Sequence, residues 1–292
     1  MKKTTLFKSY VQSPEIVLIP GVGDALSARL VEKAGFKAVF LSGYAASASL
    51  LGAPDVGLIT MTEMTDCARR IADAVDLPLF ADGDNGHGNV NNVTRTMRQF
   101  EKAGVAAIFF EDQVSPKRCG HMSGKQVIPA EEMSAKLRAA VDARVDPDLM
   151  IMARTDALSV NGIDDAIDRM HRYLEAGADM SFVESPGSVE EMQRITREIA
   201  APNMANMVAG GKTPLLSAKE LERLGFSIAA YPVLTTYAMA HAAERALEHL
   251  QSRQTIVGFD QTFDFGAFNE LIGLNELRAK ESRFYGSPEG GS

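Results

Sequence analysis

The sequence predicts an α/β fold, a (β/α)8 barrel. Short apolar runs of four or five residues alternate with helical patterns from residue 16 to residue 251. Eight such strand–helix units, joined by connections of a few residues, are typical of a closed barrel of parallel strands. The length of 292 residues also suits one barrel. A doubly wound open sheet is the alternative, but no Gly-x-Gly-x-x-Gly pattern follows the first strand, which weakens a dinucleotide-binding interpretation.

The first four units lead to a loop that carries a cysteine. Asp24 is expected to cap the first helix, and Gly35 is expected to end it. The fourth apolar run ends in an acid, Glu111, as buried parallel strands often do. The predicted strands are 16–20, 38–41, 77–81 and 106–110, and the predicted helices between them are 24–34, 62–74 and 90–102.

The second four units repeat the pattern and leave a tail. The predicted strands are 150–153, 180–183, 204–208 and 227–231, and the predicted helices are 130–143, 163–176, 189–199, 218–224 and 234–251. We expect residues 1–255 to form the barrel and residues 256–292 to form a C-terminal helical tail, with its helical part at 259–279. Phe263, Phe265 and Phe268 make this tail too apolar to lie free in water, so it is expected to pack against a neighbouring subunit.

Composition excludes several classes of partner. The net charge is −8, and no basic cluster is longer than Lys117-Arg118, so nucleic acid is not an expected partner. No apolar stretch approaches membrane-spanning length, so no membrane partner is expected. Cys67 and Cys119 do not make a disulfide framework, and Cys67 falls in a helical pattern where it is expected to be a small core residue. A reducing, cytoplasmic setting fits these observations.

A thiol lies in a loop rich in cations. Lys117, Arg118 and His121 flank Cys119, and the segment through Lys125 contains glycine and proline, as exposed mobile loops do. Neighbouring positive charge favours the thiolate form of a cysteine, so this thiol is a candidate for chemistry. The alternative is an ordinary surface loop with an incidental cysteine.

Acidic side chains are expected to meet at one face of the barrel. Asp82, Asp84, Glu111 and Glu184 follow the ends of predicted strands, and Asp55 lies in the loop after the second one. Several carboxylates repel one another unless a positive charge lies among them, and oxygen ligands suit Mg²⁺ or Mn²⁺. We therefore predict a divalent-metal site centred on residues 82–84. The alternative is a pair of solvated turn acids.

Other strand ends supply groups that suit a carboxylate substrate. Arg154 is the natural clamp, because its guanidinium pairs with a carboxylate through two hydrogen bonds. Asn206 and the Gly210-Gly211 pair are candidate donors to a second carboxylate, and residues 42–44 are candidate backbone donors to an oxyanion. The alternatives are a salt bridge for Arg154 and plain turns for the glycine-containing segments. His87 lies near the acids with no assigned role.

The chain resembles the isocitrate lyase / phosphoenolpyruvate mutase superfamily over nearly its whole length. The Lys117–His121 loop is the most specific marker, since in this family it separates carbon–carbon lyases from mutases and from the oxaloacetate decarboxylase branch. The other matching motifs lie at residues 24–29, 41–43, 54–55, 82–84, 111–113, 152–156 and 210–214. Within the superfamily, the chain is most similar to the branch of 2,3-dimethylmalate lyase, petal death protein and methylisocitrate lyase.

The resemblance implies an enzyme with a defined site and assembly. It implies Mg²⁺, with Mn²⁺ as the alternative, near Asp84, with its waters held by Asp55, Asp82 and Glu111. It implies that Cys119 protonates a departing enolate on a closed lid, whose closure removes water that would quench the enolate. It also implies a homotetramer in which the final helix is exchanged between subunits. The implied catalytic residues are Cys119, His121, Arg154 and Glu111, and the implied substrate-binding residues are Ser42, Gly43, Tyr44, Gly120, Arg154, Glu184, Asn206, Gly210 and Tyr237.

Two departures from the family pattern bear on the substrate. Residues 85–88 read Asn-Gly-His-Gly where the family has Thr-Gly-aromatic-Gly. Tyr237, Phe268 and Met122 stand where 2-methylisocitrate lyases carry arginine, and a tricarboxylate needs a further cation because an unpaired buried charge is costly. We therefore expect cleavage of a 2-alkylmalate such as 2,3-dimethylmalate to pyruvate and a short carboxylate. The alternatives are 2-methylisocitrate cleavage, oxaloacetate hydrolysis, a phosphonate-forming mutase and a non-catalytic diacid-binding protein.

Overall fold

The computed structural model describes residues 1–120, 122 and 124–285. The chain forms two compact units, one ending at Thr236 and the other beginning at Tyr237. None of the described helices is long and apolar enough to cross a membrane.

The first unit is a barrel of eight parallel strands, as predicted. The strands are β1 Val17–Val22, β2 Val39–Leu41, β3 Leu79–Asp82, β4 Ala107–Glu111, β5 Met150–Thr155, β6 Met180–Val183, β7 Met204–Asn206 and β8 Ile228–Tyr231. Neighbouring strands pair in the order β6-β5-β4-β3-β2-β1-β8-β7. A parallel bridge between Ser181 and Asn203 joins the β6 and β7 edges, so the open-sheet alternative is wrong.

Helices connect successive strands, and the predicted ones are confirmed to within about two residues at their ends. The helices are α1 Lys3–Val11, α2 Ala25–Lys33, α3 Gly43–Leu51, α4 Met61–Ala74, α5 Val90–Lys102, α6 Ala130–Ala143, α7 Leu158–Asn161, α8 Ile163–Glu175, α9 Val189–Glu198 and α10 Ala218–Leu224. Asp24 caps α2 as expected, with the Ser27 N–H donating to its carboxylate at 2.8 Å. The helices α1, α3 and α7 were not predicted; α3 was missed because residues 44–51 are small or apolar throughout and give no helical periodicity.

Aromatic side chains fill the lower part of the barrel. Phe80 packs against Phe40 at 5.2 Å and against Phe109 at 5.9 Å between ring centroids. Phe7 of α1 is fully buried against Phe80 at 5.9 Å, so the N-terminal helix closes the end where the strands begin. Each fully buried phenylalanine contributes about 1.5–3 kcal/mol of hydrophobic stabilisation. This packed layer leaves the opposite end of the barrel, where the strands finish, for polar groups.

The second unit is helical. Its helices are α11 Leu234–Arg253, whose first three residues belong to the first unit, α12 Phe265–Leu271 and α13 Leu274–Tyr285. The tail was expected to be helical over 259–279, and the structure instead has two helices separated at Gly273, whose φ of 86° interrupts the helix. Phe265 is 88% exposed, and its ring is among several large apolar side chains on this unit that face solvent in the single chain.

Candidate active site

The acids predicted at the strand ends are buried at the mouth of the barrel. Asp82 closes β3 and Glu111 closes β4, and both are at most 5% exposed. Glu184 follows β6 and is 1% exposed. Glu111 also lies beside Arg154 in the register of β4 and β5. Because these carboxylates are buried, the alternative of solvated turn acids is wrong.

Asp82 organises the turn that carries Asp84. Its Oδ1 accepts the Asp84 N–H at 2.9 Å, and its Oδ2 accepts the Gly43 N–H at 3.1 Å. Gly83 lets the chain pass close to β4, since a Cβ there would lie 2.5 Å from the Phe109 carbonyl oxygen. Burial, reinforced by the neighbouring Asp84 carboxylate, raises the pKa of Asp82 to about 6.

Lys117 places its ammonium group inside the acid cluster. The Nζ atom lies 2.7 Å from Oδ1 of Asp55 and 2.7 Å from Oδ1 of Asp84. Burial by itself lowers the pKa of Lys117, but the carboxylates of Asp84, Asp82 and Asp55 outweigh it and hold the pKa well above its usual value. Sequence reasoning considered Lys117 only as a cation near Cys119 and missed this position.

Arg154 is enclosed by carboxylates and aromatic rings. Its Nε and Nη2 atoms donate to the two oxygens of Asp156 at 3.0 and 3.2 Å. Glu111 and Glu184 each place an oxygen 3.3 Å from the guanidinium nitrogens. The guanidinium also lies over the rings of Phe109 and Phe182, at 5.6 and 5.1 Å. The predicted salt bridges with rim acids are therefore present, and the guanidinium is held rigidly at the centre of the site.

Negative charge exceeds positive charge in this cluster. Glu111 accepts no hydrogen bond among the described residues, and burial raises its pKa well above the usual value although Arg154 and Lys117 oppose the shift. The cluster contains six buried carboxylates and three buried cations. The acids are Asp55, Asp82, Asp84, Glu111, Asp156 and Glu184, and the cations are Lys117, Lys125 and Arg154. Within the part of the chain that is described, no three acid, histidine or cysteine side chains already converge on one coordination point. A small divalent cation that keeps most of its waters fits such an oxygen-rich, negatively charged cluster.

The cysteine loop is folded over the barrel mouth. We define the flap as residues 113–127, whose ends pair through an antiparallel bridge between Gln113 and Val127. The Cys119 N–H donates to the Asp55 carbonyl at 3.1 Å, and the Cys119 side chain is half-buried. A Cβ on Gly120 would lie 2.6 Å from Arg154 Nη2, so the flap rests directly on the guanidinium. The loop is therefore not an ordinary surface loop, and the role of Cys119 stays a prediction. His121 lies outside the described residues.

The remaining predicted residues differ in how close they come to this cluster. Ser42 caps α3, and the Gly43 N–H is engaged by Asp82, while Tyr44 is half-buried in the first turn of that helix. Asn206 donates to Glu184 at 3.2 Å. Gly210 lies in an exposed turn, where a Cβ would meet nothing within 4 Å. Tyr237 belongs to the second unit, and its expected contact with substrate stays a prediction.

His87 lies against the acid cluster from outside. It has a left-handed φ of 58°, and its Nε2 atom lies 3.8 Å from Oδ2 of Asp84. Burial lowers the pKa of His87 to about 4, so the imidazole is neutral at pH 7. With Thr60, Ser115 and Lys117 it lines a cavity of about 310 Å³.

Comparison with known proteins identifies the family. The family model described as phosphoenolpyruvate phosphomutase matches residues 7–251. The chain belongs to this family. The phosphoenolpyruvate phosphomutase match therefore spans the whole barrel, including every acid and cation of the site described above.

Similar family members include proteins named as lyases. The chain is 47% identical to 2,3-dimethylmalate lyase from Eubacterium barkeri over 285 residues, which cover 97% of this chain and 99% of that protein. It is 44% identical to petal death protein from Dianthus caryophyllus, covering 97% and 89%. It is 40% identical to 2-methylisocitrate lyase from Bacillus subtilis (strain 168), covering 93% of each. The superfamily and branch inferred from the sequence are confirmed.

Solved structures share the fold over its full extent. A crystal structure of 2,3-dimethylmalate lyase, named as a PEP mutase/isocitrate lyase superfamily member, matches with a TM-score of 0.94 at 33% identity, covering 100% and 99% of the two chains. Oxaloacetate acetylhydrolase in complex with 3,3-difluorooxalacetate matches with a TM-score of 0.94 at 32% identity, covering 99% of each. Phosphonopyruvate hydrolase in complex with oxalate and Mg²⁺ matches with a TM-score of 0.89 at 28% identity, covering 98% and 100%.

Proposed function

We propose that this protein is a Mg²⁺-dependent carbon–carbon lyase that cleaves a 2-alkylmalate such as 2,3-dimethylmalate to pyruvate and a short carboxylate. One observation carries the proposal: a flap bearing Cys119 closes directly onto the buried Arg154 guanidinium. We propose that the flap holds the Cys119 thiol beside this guanidinium, which is suited to bind a substrate carboxylate, and that the closed flap keeps water out. The 47% identity to 2,3-dimethylmalate lyase, over 97% of this chain, supports the same substrate class.

Arg154 would bind the oxo-acid half of the substrate. Its five N–H donors exceed what Asp156 accepts, so donors remain for a substrate carboxylate. Ser42, Gly43 and Tyr44 lie at the start of α3, whose N-terminal end favours negative charge. Glu184 and Asn206 form a hydrogen-bonded pair, and we propose that they position the other half of the diacid together with Gly120 and Gly210.

The proposed reaction breaks the bond between C2 and C3. A base takes the proton of the C2 hydroxyl, the hydroxyl oxygen becomes the carbonyl oxygen of pyruvate, and the electron pair of the C2–C3 bond passes to C3 as an enolate. Glu111 is our candidate base, since a buried carboxylate with a raised pKa is suited to accept a proton near neutral pH. Cys119 then donates its thiol proton to C3, which releases propionate when the substrate is 2,3-dimethylmalate. We assign His121, next to Gly120 in the sequence, to the same step.

A divalent cation fits the acid cluster. We propose that Asp84 holds Mg²⁺, with Mn²⁺ as the alternative, while Asp55, Asp82 and Glu111 hold its waters. The Glu111 oxygens, which accept no hydrogen bond among the described residues, and the excess of carboxylates over cations support this arrangement. When bound, the cation would stabilise the negative charge that develops on the oxo-acid oxygen. The complex of phosphonopyruvate hydrolase with oxalate and Mg²⁺ is a precedent within the fold.

Two other reactions are supported by particular relatives. Cleavage of 2-methylisocitrate is suggested by the 40% identity to 2-methylisocitrate lyase, although this chain has Tyr237 and Phe268 where arginines are expected for the third carboxylate. Hydrolysis of oxaloacetate is suggested by the match to oxaloacetate acetylhydrolase with a TM-score of 0.94. In that reaction water would attack, and no pyruvate would form.

A substrate panel separates these activities. Purified protein with Mg²⁺ is incubated with 2,3-dimethylmalate, other 2-alkylmalates, 2-methylisocitrate and oxaloacetate, and the products are identified by chromatography. We expect pyruvate from a 2-alkylmalate at the highest kcat/KM. Far faster cleavage of 2-methylisocitrate would overturn the substrate assignment, and oxalate without pyruvate would identify the hydrolase reaction.

We also propose a homotetramer in a cytoplasmic setting. The exposed apolar side chains of the second unit, such as Phe265 at 88% exposure, support exchange of its final helix with a neighbouring subunit. Light scattering after size-exclusion chromatography should give four times the chain mass of 31.5 kDa. Deletion of residues 256–292 is expected to yield smaller species.

A further inference from the structure

A second buried polar network lies behind Arg154, between the ends of two strands and the surrounding helices. Successive side chains of a strand point to opposite faces, and Glu111 pairs in register with Arg154 at the barrel mouth. The next residues, Asp112 and Thr155, therefore face outwards, and both are fully buried. The Thr155 hydroxyl donates to Oδ2 of Asp112 at 2.7 Å. The two neighbouring strand ends are thus joined on their outer side by a charged side chain.

Helix α8 supplies two further donors to Asp112. The Tyr173 hydroxyl donates to Oδ2 at 2.8 Å, and Nη1 of Arg169 donates to the same oxygen at 3.3 Å. Arg169 is fixed in turn, since its Nε atom donates to Asp165 at 2.7 Å and its Nη1 atom donates to the Tyr173 oxygen at 3.2 Å. A buried carboxylate that accepts this many hydrogen bonds is held in one position, because losing any of them inside the protein is costly.

The other oxygen of Asp112 holds Asp156. Oδ1 of Asp112 accepts the Asp156 N–H at 3.0 Å. The fully buried Asp156 carboxylate then accepts from Nε and Nη2 of Arg154 at 3.0 and 3.2 Å, and from Nζ of Lys125 at 2.6 Å. A displacement of Asp112 would therefore move the Asp156 backbone, and with it the two oxygens that fix the guanidinium.

Asp156 sets the orientation of the guanidinium more than the other carboxylates do. It engages Arg154 through two hydrogen bonds, whereas Glu111 and Glu184 each place one oxygen 3.3 Å away. An arginine binds a carboxylate well only when its planar fork has the correct orientation. We propose that Asp112 is a positioning residue that fixes the guanidinium of Arg154 through Asp156. The inference rests on the proposed function in taking Arg154 as the group that binds the oxo-acid.

Two substitutions of Asp112 separate hydrogen bonding from packing. Asparagine can direct its amide oxygen at the Asp156 N–H while its NH₂ group donates to the hydroxyl oxygens of Thr155 and Tyr173. Leucine has a similar size and accepts no hydrogen bond, so Asp112→Leu releases Asp156. The matched control is Asp165→Leu, the same substitution at the other carboxylate that pairs with Arg169.

Two measurements without turnover test the inference. The first is the affinity for oxalate in saturating Mg²⁺, determined by isothermal titration calorimetry, with the affinity for Mg²⁺ alone measured alongside. The second is the NMR signal of the Arg154 Nε–H group in ligand-free protein labelled with ¹⁵N-arginine, assigned by its loss in Arg154→Lys. This signal reports the surroundings of the guanidinium whether or not oxalate binds.

The expected results differ among the variants. Asp112→Leu shifts the Arg154 Nε–H signal and weakens oxalate binding at least about 10-fold, the effect of losing one buried hydrogen bond. Asp112→Asn restores the signal and most of the oxalate affinity, and Asp165→Leu resembles wild type in both measurements. If Asp112→Leu does not fold, Tyr173→Phe takes its place; it removes one donor to Asp112 and should shift the same signal and weaken oxalate binding at least about 3-fold.

Two results would overturn the inference. One is a wild-type Arg154 signal together with wild-type oxalate affinity in Asp112→Leu, or in Tyr173→Phe if the former does not fold. The other is an equal effect of Asp165→Leu, which would show a general disturbance of α8. A shifted Arg154 signal in Asp112→Leu, with no oxalate binding by wild type, would instead count against the proposed role of Arg154 in binding the oxo-acid and leave the role of Asp112 standing.

Discussion

The ammonium nitrogen of Lys117 lies 2.7 Å from Oδ1 of Asp84, in a cluster of buried carboxylates. The flap therefore places a cation among the acids, and its Gly120, which follows Cys119, rests on Arg154. Since Lys117 and Cys119 are two residues apart, a movement of the flap would change the charge of the acid cluster and the access to the thiol together. The predictions below test each part of this arrangement.

Replacing Lys117 should destabilise the metal-free protein. Lys117→Met leaves Asp55 and Asp84 buried without their cation, so we expect the free energy of unfolding to fall by about 3 kcal/mol. Mg²⁺ should restore part of this loss by supplying positive charge. Urea denaturation in EDTA and in Mg²⁺ measures both effects, with Lys136→Met as the control for removal of a buried lysine. Equal stability of Lys117→Met and wild type in EDTA would contradict this account.

Asp82 should control metal affinity through Asp84. Asp82→Asn removes the negative charge beside Asp84 and replaces one of the two oxygens that accept the Asp84 and Gly43 N–H groups with an NH₂ donor. We therefore expect Mg²⁺ affinity to fall about 10–100-fold, the usual effect of losing a residue that supports a metal ligand. Isothermal titration calorimetry with Mg²⁺ measures this, and the exposed Asp76→Asn serves as a matched control. Unchanged Mg²⁺ affinity in Asp82→Asn would remove these aspartates from the metal site.

Strand ends were predictable from the sequence, whereas the path of the flap was not. Asp82, Glu111 and Arg154 each follow an apolar run, and parallel strands bring their ends to one face whatever the loops do. The position of Lys117 depends on how residues 113–127 fold back through the Gln113–Val127 bridge, a contact between loop residues that no periodicity encodes. The buried position of Lys125 could not be predicted from the sequence for the same reason. The burial of Asp156 likewise depends on its neighbours in space.

The two cysteines should differ sharply in reactivity. Cys67 is buried in α4 with its thiol directed at the Gly23 carbonyl oxygen, and burial raises its pKa to about 12, so it stays a protonated thiol at pH 8. Cys119 is half-buried on the flap. Iodoacetamide at pH 8 should therefore label one residue per native chain, Cys119, as measured by peptide mass spectrometry. Denatured protein should take up two labels, and labelling of Cys67 in native protein would refute the assignment.

His87 should make stability depend on pH in the acidic range. The folded-state pKa of His87, about 4, lies below the usual histidine value of 6.5, so the unfolded state binds more protons between these values. The contribution of His87 to the free energy of unfolding is fully present above pH 6.5. It decreases by about 2–3 kcal/mol as the pH falls towards 4. Asp82, whose pKa is raised to about 6, has the opposite effect, because its protonation stabilises the folded state as the pH falls from 6.5 towards 4.

The variant His87→Asn separates the two groups. Asparagine tolerates the left-handed φ of 58° and does not titrate here. In EDTA, wild type should lose more stability than His87→Asn between pH 6.5 and pH 4, measured by urea denaturation at each pH. Parallel pH profiles of the two proteins would show that His87 is not the titrating group.

The most direct test of the central claim is pyruvate release from 2,3-dimethylmalate by wild type and Cys119→Ser in the presence of Mg²⁺. We predict rapid release by wild type, abolished by EDTA, and a decrease of at least about 100-fold in kcat for Cys119→Ser with the fold intact, in the range for loss of a general acid. Turnover by Cys119→Ser near the wild-type rate would contradict the account, because the flap thiol would then have no part in the reaction.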